Sequence, residues 1–297
     1  MLAPVVEIFC DIDDFCKQWF KETSPYLLPT PNRKRQRVCK MSASEIMTIV
    51  ILFHLSHYRT FKDYYVDCVE CTMTSFFPNL VSYNRFTEIT SSVLVPLTAY
   101  LYSRLGENTG LYYVDSTPLA VCHNKRIYRH KTFKGIAERG KTSMGWFFGF
   151  KLHVVINHKG ELVSFCITKG NVDDRAPLEQ LFKNLDGFAA GDKGYLSKQK
   201  AEALLKKGLR LITRVKRNMK QKFITLFERY FLNHRGLVET VIDQLKAICQ
   251  IDHSRHRKPD NFVINLLSGL MAYMLRPRKP SLKLHVNIEN TKFLMSS

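Results

Sequence analysis

Two aspartates and one glutamate in this sequence stand where a carboxylate can be held rigidly. Asp115 closes the apolar run 111–115, and Asp192 follows the apolar run 187–190. Each precedes a turn sequence, Ser116-Thr117-Pro118 in one case and Lys193-Gly194-Tyr195 in the other. A strand end fixes the backbone while the side chain faces an open crevice, and such crevices are favoured ligand sites in α/β sheets. One such Asp is an ordinary turn residue; two in matching settings point to a shared site. Glu239 is the third candidate. At roughly 100° per residue a helix puts Val238, Val241, Ile242, Leu245 and Ile248 on one face. Arg235, Glu239 and Lys246 then fall along one line at its border. This geometry leaves two readings of Glu239 open, a ligand or half of a solvated i,i+4 pair with Arg235. Asp243 and Glu228 are rivals for the third place, while Asp173 and Asp174 are better explained as helix caps.

Three clustered carboxylates repel one another unless cations sit between them. Oxygen donors favour hard ions, so Mg²⁺, with Mn²⁺ as a substitute, is the natural filling. Two such ions about 4 Å apart activate a water or a 3′-hydroxyl and stabilise the leaving oxygen in phosphodiester displacement. Arg235 offers a fork for phosphate and Lys246 a point charge. Other chemistries lack their residues. Gly140-Lys141-Thr142 has no upstream glycine at phosphate-loop spacing, and the ten histidines show no helical metal-ligand pair. Cys68 and Cys71 have zinc spacing but no second pair.

The elements that must position these residues fall into two halves. Before residue 106 the pattern is helical: Ser42 and Glu45 form a capping box, Ile46, Ile49, Val50 and Phe53 make an apolar stripe, and Ser82 starts a helix through Phe86, Ile89, Val93 and Leu97. After Gly106 the order is a strand ending at Asp115, a hairpin (147–156 and 162–168) turning at 157–161, a helix capped by Asp173 or Asp174, and a strand at 187–190. A helix from Ser197 to Gly208, a strand at 209–213 and helices at 236–250 and 262–275 complete it. This half is a mixed α/β layer structure.

Composition narrows the partner. The chain has 297 residues, 45 Lys+Arg against 26 Asp+Glu, and a formal charge of +19. Such a surplus attracts polyanions, nucleic acid above all. Basic runs surround the acids: Arg33, Lys34 and Arg35 upstream; Lys125 and Arg126 after Asp115; Arg214, Lys216 and Arg217 after Asp192. Their recurrence fits a DNA backbone passing the site. Eight scattered cysteines and an acidic N-terminal stretch (Glu7, Asp11, Asp13, Asp14) predict reduced thiols in a cytoplasmic protein. The longest apolar runs are too short to span a bilayer, so no membrane partner is expected.

These residues resemble the three acid blocks of the DDE-type bacterial insertion-sequence transposases, which carry a ribonuclease H-like catalytic domain. Tyr113-Val-Asp-Ser-Thr-Pro-Leu-Ala120 is similar to the first block, Ala190-Gly-Asp-Lys-Gly-Tyr195 to the second, and Arg235-x3-Glu239-x6-Lys246 to the third. The stretch from Ser42 to Tyr65 also resembles a subgroup of these elements. The resemblance implies an N-terminal helical region (1–105) for binding element ends or dimerising, a ribonuclease H-like mixed sheet flanked by helices (106–275), and a basic tail (276–297). It implies first and fourth strands side by side, and two Mg²⁺ ions on Asp115, Asp192 and Glu239. Arg235 and Lys246 would assist, and the enzyme would cut element ends and join the 3′-OH to target DNA. Implied partners are the terminal inverted repeats, target DNA and a second copy of the chain on DNA, at the bacterial nucleoid. Many members carry a Tyr three residues before the Arg, where this chain has Leu232. A nuclease that cuts without joining, and a DNA-binding protein with an inactive site, are alternatives on the same residues.

Overall fold

A computed structural model describes residues 2–23, 25, 39–214, 225–252 and 256–282. In chain order come α1 (Leu2–Thr23), α2 (Ala43–Leu55), α3 (Phe61–Asp63), a π-helical stretch (Tyr64–Val69), α4 (Glu70–Thr72), α5 (Tyr83–Ile89), a 3-10 turn (Thr90–Val93) and α6 (Leu94–Ser103). There follow β1 (Leu111–Cys122), a 3-10 turn (Asn124–Arg129), β2 (Glu138–Thr142), β3 (Gly145–Asn157) and β4 (Leu162–Lys169). The remaining elements are α7 (Leu178–Leu181), β5 (Gly187–Gly191), a 3-10 turn (Lys193–Tyr195), α8 (Lys198–Leu205), β6 (Leu209–Thr213), α9 (Leu226–Asn233), α10 (Gly236–Ala247) and α11 (Pro259–Met274). Two compact units result, residues 1–104 with 245–275 and residues 105–244 with 276–297.

The helical unit is built around α2. Ser42 Oγ accepts the Glu45 N–H, and the Glu45 carboxylate accepts the Ser42 N–H at 2.6 Å, so the expected capping box starts the helix. Beyond it α2 is buried on every side from Ser44 to His54, not along one stripe. A helix apolar all round belongs inside a bundle, and its polar groups are satisfied there. Thr48 Oγ1 donates to Ser44 O at 2.7 Å, and His54 Nδ1 meets Cys249 O at 2.6 Å. α11 is buried in the same way and packs on α2 and α6. Residues 245–275 therefore group with the N-terminal helices, whereas the sequence assigned them to the sheet domain. The acids of α1 tie it to its neighbours: Tyr100 Oη donates to Asp11 at 2.5 Å, and Ser44 Oγ to Asp13 at 2.7 Å. The single helix expected after Ser82 is interrupted at 90–93. There Thr90, Ser91 and Ser92 turn their hydroxyls back onto the carbonyls of Phe86, Glu88 and Ile89, competing with the helical ladder. Ser82 makes no side-chain cap.

The second unit is a six-stranded sheet in the order β2-β3-β1-β5-β6, with β4 also on β3. β3 runs antiparallel to β1 from Tyr112↔Asn157 to Cys122↔Phe148, while β2 pairs with its first part and β4 with the rest. β5 joins the other edge of β1 in parallel from Leu111↔Phe188 to Tyr113↔Ala190, and β6 joins β5 in parallel. Two expectations change here. β1 does not stop at Asp115, because β3 offers it a partner as far as Cys122. The edge that β5 leaves free beyond Tyr113 tolerates Pro118, which has no N–H to give. β2 is a strand the sequence did not announce; the run 187–190, expected as the fourth strand and beside the first, is therefore numbered β5 and does pair with β1.

Helices cover both faces, as a mixed sheet flanked by helices requires. On one face Tyr112, Val114, Val155, Phe182, Tyr195 and Leu204 form a core with α7 and α8. On the other, the Tyr113 ring lies 4.6 Å from that of Phe231 on α9. The hairpin turn forms as expected, with Asn157 Oδ1 accepting the N–H groups of Lys159 and Glu161 and Gly160 at φ 72°. Ser197 caps α8, and Gly208 at φ 84° follows its end. Asp173 and Asp174 are not caps. Asp173 pairs with Arg175 at 2.6 Å and Asp174 with Lys151 at 2.9 Å, and α7 starts only after Pro177.

Candidate active site

The register of β1 and β5 brings the two aspartates level. Tyr113 pairs with Ala190, and Asp115 and Asp192 each stand two residues further on. Alternation along a strand returns both side chains to the face of Tyr113, where α9 packs. Neighbouring strands lie roughly 4.8 Å apart, so the carboxylates start from adjacent anchors. The local fixing is the same in both: Asp115 Oδ1 accepts the Ser116 N–H at 2.8 Å, and Asp192 Oδ1 the Lys193 N–H at 2.6 Å. Tyr195, three residues after Asp192, closes a 3-10 turn and buries its ring against Gly191 and Val114 on the opposite face. The sequence assigned this Tyr no role. Its spacing from Asp192 is the signal that would have shown it as the wedge beneath the two strands.

The third acid arrives through Arg235. This residue lies just before α10, in the turn after α9. Its guanidinium pairs with Asp192 at 2.6 Å and with Glu239 at 2.5 Å, bridging strand and helix. Of the two readings of Glu239, the i,i+4 pair with Arg235 is present, and through Arg235 that pair is tied to Asp192. Burial pushes the Asp115 carboxyl up to about 6; the Ser116 N–H and Arg235 oppose the shift, and Glu239 and Asp192 add to it. Three negative groups facing one guanidinium leave the site short of positive charge, within a chain whose net charge is +19. All-carboxylate donors suit a hard divalent cation. Among the described residues no group of three or more His, Cys, Asp or Glu side chains is arranged to hold one metal ion. Between Asp192 and Glu239 the cation in place is Arg235 itself.

The other candidates separate. Glu228 is buried, closes a capping box with Thr225 and pairs with Arg210 at 2.8 Å, so its oxygens are committed. Asp243 is exposed on α10. Lys246 stands seven residues beyond Glu239 on that helix, within the stretch that groups with the helical unit. α10 ends at Ala247, so Ile248 is exposed and Cys249 takes the buried place expected for it. Lys125 and Arg126 are exposed on the 3-10 turn 124–129, and Arg214 is exposed with a 3.3 Å hydrogen bond to Asn233. Arg33, Lys34, Arg35, Lys216 and Arg217 lie outside the described residues. Leu232 is buried, and Tyr230 turns outward with its ring 4.1 Å from that of His234. No disulfide joins any of the eight cysteines, and among the described residues no helix is long and apolar enough to cross a membrane.

Comparison with known proteins adds four findings. The family model described as "Transposase DDE domain" matches residues 105–259, just over half of the chain. The fold is similar to that of a piggyBac transposase in a cryo-EM synaptic complex with hairpin DNA, at 12% identity and TM-score 0.50, covering 90% of this chain and 70% of that one. A chain of the Mos1 strand transfer complex aligns at 11% identity over 88% of this chain and 83% of that one, but its TM-score of 0.23 carries no weight. No curated protein matches the sequence.

Proposed function

Because the chain belongs to the transposase DDE domain family, we propose that it cuts the ends of a mobile DNA element and joins the freed 3′-OH to target DNA. The observation that carries this reading is the double ion pair of Arg235, which links the second acid to the third beside the first. Asp115, Asp192 and Glu239 are the proposed metal ligands, with Arg235 and Lys246 as phosphate contacts. Family members generally use divalent metal ions, and two Mg²⁺, replaceable by Mn²⁺, would supply charge neutralisation and activation of the attacking oxygen here.

The chain's own residues hold and orient. Asp115 and Asp192 are anchored on adjacent strands with one oxygen each fixed by a backbone N–H, which keeps the donors in place without loss of entropy at the moment of reaction. Arg235 would offer its planar fork to a DNA phosphate if a metal ion took over the charge it now supplies to Asp192 and Glu239. Lys125, Arg126 and Arg214, with Arg33, Lys34, Arg35, Lys216 and Arg217, are proposed backbone contacts, consistent with a charge of +19. The reaction would end in direct attack of the freed 3′-OH on a target phosphodiester, whose own P–O3′ bond breaks so that the target strand departs with a 3′-OH, with no covalent enzyme intermediate. We assign the helical unit, residues 1–104 with 245–275, to end binding or dimerisation on DNA, the sheet unit from residue 105 to catalysis, and 276–297 to a basic tail. The proposed setting is the bacterial cytoplasm, at the nucleoid.

The test uses a duplex carrying the terminal sequences that flank the coding region, a supercoiled target and Mg²⁺. Wild type should give nicked ends and joined products. Asp192→Asn should lose both and still retain the duplex. Cleavage that survives Asp192→Asn removes the assignment, and cleavage without joined product identifies a nuclease.

A further inference from the structure

The far end of the sheet carries exposed aromatic and apolar side chains that no part of the site above uses. Tyr128 is 98% exposed, Met144 95% and Trp146 51%. Met144 sits in the turn between β2 and β3, and Trp146 near the start of β3. Tyr128 is on the 3-10 turn 124–129, which is tied to β3 where Asn124 Nδ2 donates to Trp146 O at 2.6 Å. Large side chains left in water at this density call for a partner.

The chemistry of that partner is set by what surrounds them. Between Asp115 and Glu161 the sequence has one acid, Glu138, which pairs with Lys169 at 3.8 Å. The same stretch holds Lys125, Arg126, Arg129, Lys131, Arg139 and Lys141 among its cations. Arg139 lies 4.8 Å and Lys141 5.6 Å from the Trp146 ring. An indole flanked by cations is suited to a nucleic acid: the ring takes a base face and the cations take phosphates.

Its position relates it to the acids. Asp115 pairs with Val154, and alternation along β3 puts Trp146 on the face of Asp115. Lys141 pairs with Trp146 and Arg139 with Phe148, so both cations share that face. The eight residues from Val154 back to Trp146 span about 26 Å at 3.3 Å each, roughly eight base pairs of duplex.

We infer that Trp146, with Met144 two residues before it and Tyr128 on the 3-10 turn tied to its strand, is a stacking site for unpaired or unstacked DNA bases, set apart from the acids along β3. This rests on the reading that the chain acts on DNA, and the test separates the two. The chain has two tryptophans, so Trp19→Phe leaves Trp146 as the only indole. The full-length protein is titrated with a paired duplex and with the same duplex carrying a short bulge of unpaired nucleotides. Trp146 fluorescence should be quenched by the bulged duplex, which should bind roughly tenfold tighter than the paired one. Trp146→Ala should reduce the bulged duplex to the affinity of the paired one, and Trp146→Phe should keep most of the preference. Tight binding with no quenching and an unchanged preference in Trp146→Ala overturns the stacking site and leaves the DNA reading standing. Failure of the wild type to bind either duplex overturns both.

Discussion

Replacing Asp115 by Asn should abolish activity and yet make the metal-free protein more stable. Burial raises the Asp115 carboxyl from its ordinary value of 3.8 to about 6. A group whose folded value is raised contributes stability below its unfolded value and loses it as pH rises through the folded one. Near neutral pH wild type therefore bears the cost of a half-buried charge beside two other acids. At 1.36 kcal/mol per pH unit the shift corresponds to about 3 kcal/mol, reduced to about 1–2 kcal/mol because water still reaches the side chain. Asn keeps the Oδ1 that accepts the Ser116 N–H and carries no charge. Thermal unfolding in chelator should place the variant above wild type at neutral pH, by roughly 2–4 °C for each kcal/mol. The gap should close as pH falls below the ordinary carboxylate value. Added Mn²⁺ should raise the wild-type midpoint and leave the variant nearly unmoved. A variant that melts below wild type in chelator at neutral pH, or a gap that does not depend on pH, refutes the reasoning.

Arg235→Ala removes the cation that the proposed metal ion would have to displace from Asp192 and Glu239. Two partly exposed pairs at about 0.5 kcal/mol each predict roughly fivefold tighter Mn²⁺ binding by calorimetry, together with slower cleavage; equal or weaker Mn²⁺ affinity would show that Arg235 does not compete. Gly187 stands at φ 110°, and a Cβ there would run into the Gly110 carbonyl, where β5 comes alongside β1. Gly187→Ala should cost about 2 kcal/mol or more and lower cleavage further by disturbing the register that levels the aspartates. Gly194→Ala, which meets nothing within 4 Å, is the control and should melt like wild type.

Much of the fold is legible in short-range signals. The Ser42–Glu45 capping box, the hairpin turn at Asn157, and the Ser197 and Gly208 boundaries of α8 each depend on atoms a few residues apart, and each forms as the sequence predicts. Errors arose where a local signal competed with a distant partner. Asp115 precedes a turn-like Ser-Thr-Pro, but β3 extends β1 through it. Asp173 and Asp174 look like caps, but Arg175 and Lys151 claim them. The α2 stripe understated a helix surrounded on every side, because the elements that cover it, α11 among them, come from the other end of the sequence.

The sequence by itself determined which residues had the right chemistry: strand aspartates in matching settings, and a helical glutamate in line with an arginine. It also determined the charge that draws a polyanion, since charge is a sum over residues and needs no fold. Only the tertiary structure decided that β5 lies beside β1 with Tyr113 opposite Ala190, which levels two aspartates 77 positions apart in the chain. Only it decided that one guanidinium spans Asp192 and Glu239. Strand register and side-chain convergence are long-range properties, fixed by core packing between distant segments, and no local pattern encodes them.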